Sequence, residues 1–186
     1  TVIQTIEYLP IHNWLLQNLE HTGMTSAWFD SFHDNIKNDV HGQLYSTTTI
    51  MKQIVELHEY DSGSTPYSDR NQVIKFMISH DEQSVIQEMV EFSNYTLSQA
   101  RERDKFYATI LFTSLGVPML LQGQEFGFKS GWLDDNGNGN WDEEKLDYRP
   151  LDWDLVDTDA GQNHLEHYKN LISLRKSNPA FSKGTF

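Results

Sequence analysis

The run Val73-Ile74-Lys75-Phe76-Met77-Ile78-Ser79-His80-Asp81-Glu82 decides the fold. Its first six residues are almost continuously apolar, the pattern of a strand covered on both faces, as in a parallel sheet flanked by helices. It then breaks into four polar residues, which is how a parallel strand delivers side chains to the rim of its sheet. Working outward, the same pattern recurs. Residues 1–6 (TVIQTI) are rich in β-branched side chains and end at Glu7, and residues 24–29 read as a second strand ending at Asp30. Residues 119–122 read as a fourth strand, followed by Gly123-Gln124-Glu125-Phe126-Gly127.

Helical signals fill the gaps. Asn13 is placed to cap a short helix over 14–20, with Gly23 as its stop. Phe32, Ile36 and Val40 share one face of a helix that Gly42 ends, and residues 47–58 carry Met51, Ile54, Val55 and His58 at helical spacing. A long helix is expected over 98–115, closed by Gly116 and Pro118. An amphipathic helix over 161–177 carries Leu165, Tyr168, Leu171, Ile172 and Leu174. The stretch 61–69 (DSGSTPYSD) is the clearest loop, and a polar insert spans 129–159.

The order β, α, β, αα, β, α, β, α implies an α/β protein with parallel pairing and right-handed crossovers. A closed (β/α)8 barrel needs eight βα units and about 250 residues, so four units over residues 1–178 read as half a TIM barrel. Residues 179–186 read as the start of a linker to a further C-terminal domain. The competing arrangement is a small open doubly wound sheet, but no Gly-rich phosphate loop follows any strand.

Composition narrows the function. The chain has 186 residues, 38% of them hydrophobic and 12% aromatic, too many for a disordered segment. Its 27 acidic and 14 basic side chains give a formal charge of −13, which argues against a nucleic-acid partner. Without cysteine it has no disulfides, zinc-thiolate sites or thiol nucleophile. The longest apolar stretch, 110–121, is broken by Thr113, Ser114, Gly116 and Pro118, so no membrane partner is expected.

Carboxyl groups at strand ends, one beside a histidine, suit glycoside chemistry, in which one carboxyl donates a proton and another stabilises developing positive charge. The wording of the segments goes further. Phe76-Met77-Ile78-Ser79-His80-Asp81-Glu82 resembles the strand-seven motif of the α-amylase superfamily (glycoside hydrolase family 13), and its Ser-His-Asp-Glu form is most similar to glycogen branching enzymes. Ile6-Glu7-Tyr8-Leu9-Pro10 resembles the strand-five motif, Trp28-Phe29-Asp30-Ser31-Phe32-His33-Asp34 the strand-six segment, and 118–127 (PMLLQGQEFG) the strand-eight motif. Leu151-Asp152-Trp153 and 168–180 (YKNLISLRKSNPA) are similar to the stretches that follow. The ordered set covers almost the whole chain and places it from about strand five to helix eight of the barrel.

The resemblance implies roles. Glu7 would be the proton donor to the leaving oxygen and later the base, held protonated by its surroundings. Asp81 would hold sugar hydroxyls and stabilise the oxocarbenium-like transition state, with His80 hydrogen-bonded to the same sugar. Trp28 would form part of a stacking wall, Phe29 is expected in the core, and Glu82 would tune an acceptor subsite. Gln124 and Glu125 are expected to be structural. The family's strand-four aspartate nucleophile, the arginine two residues before it and the strand-three histidine motif are not in this sequence. Half of the retaining carboxyl pair is therefore missing, and the chain alone is expected to be inactive. Half a barrel also leaves strand edges for its N-terminal half, or a second copy, to cover.

Asp134-Asp135-Asn136-Gly137-Asn138-Gly139-Asn140-Trp141-Asp142 matches the first nine positions of an EF-hand-like loop. Calcium ligands would be Asp134, Asn136, Asn138, the Asn140 carbonyl and Asp142, although Lys145 stands where a bidentate glutamate is expected. No organic cofactor is implied. His164 and His167 read as surface histidines without an acidic partner, and Arg101, Arg103 and Lys105, interleaved with Glu102 and Asp104, as a solvated helix face.

The expected function is cleavage or transfer at α-1,4-glucosidic bonds of an α-glucan, tilted by Ser79-His80-Asp81-Glu82 toward branching. The alternative is a non-catalytic, calcium-stabilised carbohydrate-binding or interaction module. Compartment follows the choice: cytoplasmic for a branching enzyme, secreted or periplasmic for an amylase.

Overall fold

The computed structural model describes residues 3–7, 19, 21–43, 47–57, 66–129 and 150–183. Its centre is a four-stranded parallel sheet: β1 (Thr5–Ile6), β2 (Ser26–Trp28), β3 (Val73–Phe76) and β4 (Val117–Met119). The strand order β1-β2-β3-β4 follows the chain without a reversal. A doubly wound sheet reverses direction at a switch point, whereas a barrel adds each strand beside the last. The sheet is therefore a barrel segment.

Register sorts the side chains. Ile6 lies opposite Ala27, Ala27 opposite Val73, and Lys75 opposite Pro118. That row, with Phe29 and Met77, faces the helices and is almost completely buried at Ala27, Phe29, Val73, Lys75 and Met77. Trp28, Ile74 and Val117 form the opposite row. The single charge in the third strand, Lys75, lies inside the core, its Nζ 2.5 Å from the Gln53 carbonyl and 5.3 and 5.6 Å from the ring centres of Phe29 and Phe32.

Six helices lie among the described residues: α1 (Asp30–Val40), α2 (Thr47–Lys52), α3 (Val85–Phe92), α4 (Leu97–Thr113), α5 (Asp159–Ser177) and α6 (Pro179–Lys183). Helix α2 stops at Lys52, earlier than the apolar spacing predicts. Just beyond its end, the Gln53 carbonyl accepts from Lys75 and the Ile54 carbonyl accepts from the Leu115 N–H at 2.7 Å. Helix α3 has no counterpart in the sequence reading. Ser84 caps it by accepting from the Gln87 N–H, and Val85, Ile86 and Met89 are buried, but two turns give too short a period to detect. Strand β4 contains Pro118 instead of starting after it, which a strand at the edge of the described sheet tolerates. Pro179–Lys183, expected to begin a linker, are helical. The helix expected over 14–20, apart from the buried Leu19, and most of the 61–69 loop lie outside the described residues.

The face of α4 expected to be solvated is pinned to its neighbours. Arg103 Nη2 lies 2.6 Å from Asp39 Oδ2 on α1, and the Tyr107 hydroxyl donates to the same oxygen at 2.5 Å. Burial, then the Asp39 hydrogen bond, pushes the Tyr107 phenol well above its ordinary range, so it stays protonated as a donor. At the amino end of the sheet, the Arg175 guanidinium on α5 donates to the carbonyls of Phe112 (2.7 Å), Ser114 (2.8 Å) and Gly116 (2.5 Å). It thereby closes the turn that feeds β4. No helix among the described residues is long and apolar enough to cross a membrane.

Candidate active site on the carboxyl rim

The strands run parallel, so their carboxyl ends share one rim. Glu7 follows β1 and is exposed, and His80 and Asp81 follow β3, two strands away. At the usual spacing of neighbouring strands this separates their backbones by about 10 Å. Between them stands the half-buried Trp28 at the end of β2, its ring centre 5.1 Å from that of Phe76 and 6.4 Å, edge-on, from that of His80.

The His-Asp doublet is held by its turn. Ser79, 5% exposed, accepts the Asp81 N–H on its hydroxyl at 3.2 Å, and its carbonyl accepts the Glu82 N–H at 3.3 Å. This leaves the His80 and Asp81 side chains open to solvent, with Nε2 3.5 Å from Oδ1. Glu82 points back toward α1. Its Oε2 lies 3.0 Å from Lys37 Nζ and 3.8 Å from His33 Nε2, while Lys37 also lies 3.5 Å from the buried Glu88. His33 donates from Nδ1 to the Met77 carbonyl at 2.5 Å and stacks on Phe76. Burial pulls the Lys37 ammonium down, but the Glu82 and Glu88 carboxylates outweigh it and hold it above its ordinary range.

Asp30, the first residue of α1, is the carboxyl that the rim perturbs most. Burial, followed by the charges of Asp34, Glu7 and Glu82, raises it from 3.8 to about 7. The strand-end pattern placed Asp30 on the rim but gave it no role. Its i, i+4 relation to Asp34 is the one visible sequence signal of repulsion.

A cleft of about 220 Å³ opens between the loops after β3 and β4. Ile78, Leu121, Phe128 and Leu151 form its apolar surface, and His80, Glu82 and Gln122 its polar one. The β4 loop that walls it depends on two glycines with positive φ. A Cβ on Gly123 (φ +100) would lie 2.7 Å from the Leu151 side chain, and one on Gly127 (φ +71) 3.1 Å from the His164 ring. Gln124, 5% exposed, is fixed from behind: its Nε2 lies 3.0 Å from the Tyr168 hydroxyl and 3.0 Å from Met77 Sδ.

The Tyr168 hydroxyl in turn donates to Asp104 Oδ2 at 3.1 Å, which lies 2.8 Å from His164 Nε2. Burial and then the Asp104 charge push the Tyr168 phenol well above its ordinary value, so it remains a donor. His164 is thus not a surface histidine. It is 1% exposed and has an acidic partner 60 positions away.

Of the residues read as functional, the rim gathers Glu7, Trp28, His80, Asp81 and Glu82, and Phe29 is in the core. Asp134, Asn136, Asn138, Asn140 and Asp142 lie outside the described residues. Among the described residues, no group of three or more His, Cys, Asp or Glu side chains is arranged to hold a metal.

No family model matches the chain. Over 162 residues it is 28% identical to the pullulanase of Bacillus subtilis (strain 168), covering 82% of this chain and 22% of that one. A pullulanase from Anoxybacillus sp. LM18-11 solved with maltotetraose superposes with a TM-score of 0.69 at 22% identity, covering 97% of this chain and 27% of that one. The Paenibacillus barengoltzii pullulanase, solved with maltohexaose and α-cyclodextrin, gives 0.70 at 21% identity, covering 97% and 30%. The chain therefore spans about a quarter of the length of these relatives. Its barrel order and ordered strand-end motifs agree with these similarities: the chain folds as part of a (β/α)8 barrel like that of the α-amylase superfamily, which it resembles along most of its length.

Proposed function

We propose that the chain is the part of a retaining, α-glucan-active glycoside hydrolase that supplies the proton donor and one transition-state carboxylate. In this reading Glu7 protonates the leaving glycosidic oxygen and later removes the proton from the acceptor. Asp81 and His80 hold the sugar hydroxyls as positive charge develops on the ring. The observation that carries the reading is the shared rim, with Glu7 and the His80–Asp81 doublet on either side of Trp28. Relatives solved with maltotetraose and maltohexaose support an α-glucan oligosaccharide as substrate. The nucleophilic carboxylate would come from residues outside these 186, so turnover requires the rest of the barrel, and the 186-residue chain alone is inactive. The complementary barrel half, or a second copy, would cover the outer edges of β1 and β4.

The decisive experiment is Glu7→Gln in the intact protein, with reducing-sugar release from α-glucan as the readout. Turnover falls by about 10²–10⁴-fold if Glu7 is the proton donor. Unchanged turnover overturns the assignment and leaves a non-catalytic carbohydrate-binding module as the better account.

A second reading, transfer to a sugar 6-hydroxyl as in a branching enzyme, is favoured by Ser79-His80-Asp81-Glu82. New α-1,6 links in the products of the intact protein select it over hydrolysis. We also propose calcium at the 134–142 loop because its alternating oxygen side chains match a calcium-binding pattern. Calcium should raise the melting temperature relative to chelator, and coincident melting curves exclude it.

A further inference from the structure

The turn that carries His80 and Asp81 is weakly held from within. Its two internal hydrogen bonds, Asp81 N–H to Ser79 Oγ and Glu82 N–H to the Ser79 carbonyl, measure 3.2 and 3.3 Å, at or beyond the long end of the usual range. The side chains of the doublet are 69% and 49% exposed, so packing does little to place them.

The stronger restraint comes from outside the turn. His33, Lys37 and His41 recur every four residues along one face of α1 and meet two carboxylates. Lys37 Nζ lies 3.0 Å from Glu82 Oε2 and 3.5 Å from Glu88 Oε1. His33 Nε2 lies 3.8 Å from Glu82 Oε2, and His41 Nε2 contacts Glu88 Oε2. Lys37 is the member common to both carboxylates, so it ties the last residue of the turn to α3. Val40, Met77, Ile78 and Val85 wall the junction, and the gap left in it, about 10 Å³, has room for about one water. Charge-assisted bonds are about twice as strong as neutral ones and gain further where water is scarce. The link from α1 to Glu82 therefore outweighs the two long bonds inside the turn. Although Glu82 borders the cleft, the oxygen that meets these cations is turned to α1, and Asp81 is the next residue along the chain.

We propose that Glu82 is a tether and not a sugar ligand, and that Lys37 is the positioning residue that, through Glu82, holds the His80–Asp81 doublet in its place on the rim. That the doublet acts on a glucan rests on the proposed function, whereas the tether itself does not. Lys37 touches no substrate. Its work is to order the doublet before a ligand arrives.

Kinetics of the intact protein and the NMR signals of His80 test this together. Lys37→Met lowers kcat for glucan about tenfold with KM little changed, because a misplaced doublet fails as charge develops on the ring and not in ground-state binding. Lys37→Arg recovers most of the loss. Glu82→Met costs about as much, and the double variant no more than either single one, since both changes cut one link. Glu82→Met also serves should Lys37→Met fail to fold. An unchanged kcat in Lys37→Met overturns the tether, and an equal loss in Lys37→Arg, the mark of a merely structural lysine, does the same. Additive losses, or a raised KM at unchanged kcat in Glu82→Met, make Glu82 a sugar ligand and also overturn it. The ring protons of His80, whose ring centre lies 6.4 Å from that of Trp28, report the place of the doublet without turnover. They shift in Lys37→Met and return in Lys37→Arg. Glu7→Gln separates the two readings. If it retains turnover while His80 still shifts in Lys37→Met, the catalytic assignment fails and the tether stands. If it abolishes turnover while Lys37→Met moves neither His80 nor kcat, the reverse holds.

Discussion

Replacing Asp30 by asparagine should stabilise the protein at alkaline pH and do almost nothing at acid pH. Burial and the charges of Asp34, Glu7 and Glu82 raise the folded-state pKa of Asp30 from 3.8 to about 7. Between these values the native protein keeps a proton that the unfolded chain releases. Stability attributable to Asp30 is therefore full below about 4 and declines as pH rises through about 7. At full weight that gap corresponds to about 4 kcal/mol. Asp30 is only partly buried, so solvent screening reduces the effect, and its place in the first turn of α1 returns part of it through the helix dipole. A net of about 1–2 kcal/mol is expected, or about 2–8 °C in melting temperature for a chain of this size. Urea unfolding of the intact protein and of Asp30→Asn at pH 4.5 and pH 8, at constant ionic strength, reads it directly. The variant should gain at pH 8 and match the parent at pH 4.5. An equal effect at both pH values, or a loss at pH 8, would refute the account.

Arg175→Met leaves the carbonyls of Phe112, Ser114 and Gly116 without their shared donor and should destabilise by about 2–3 kcal/mol in urea unfolding. A change below about 0.5 kcal/mol, typical of surface sites, would show that water replaces the guanidinium without penalty. Asp104→Asn removes the buried carboxylate shared by His164 and Tyr168 and should lose about 3 kcal/mol, whereas Glu102→Gln on the exposed side of the same helix should stay within about 0.5 kcal/mol. Equal stabilities for these two variants would contradict the packing described for α4.

What could be read from the sequence, and what could not, divides along a physical line. Strand ends were legible because polarity changes within one or two residues there. That change in Met77-Ile78-Ser79-His80 and at Ile6-Glu7 is enough to place Glu7, His80 and Asp81 on one rim. Side chains whose environment is assembled from several segments were not. Asp104 sits in a run of alternating charges and was read as solvated, yet consecutive helix residues are turned by about 100° and cannot share a face. Its true neighbours are Ala100, Ala108 and Leu111, four back, four on and seven on, all buried. His164 follows the same rule with Gly161, Tyr168 and Leu171. That periodicity was available and would have turned both residues inward. It would not have paired them, because nothing within one helix says which buried polar group of another it meets. The same limit applies to Asp30, whose perturbation sums the charges of Glu7, 23 positions before it, and Glu82, 52 positions after it. The local signal places Glu7, His80 and Asp81 on one rim, whereas the proton-donor role proposed for Glu7 comes from the resemblance of Ile6-Glu7-Tyr8-Leu9-Pro10 to the strand-five motif.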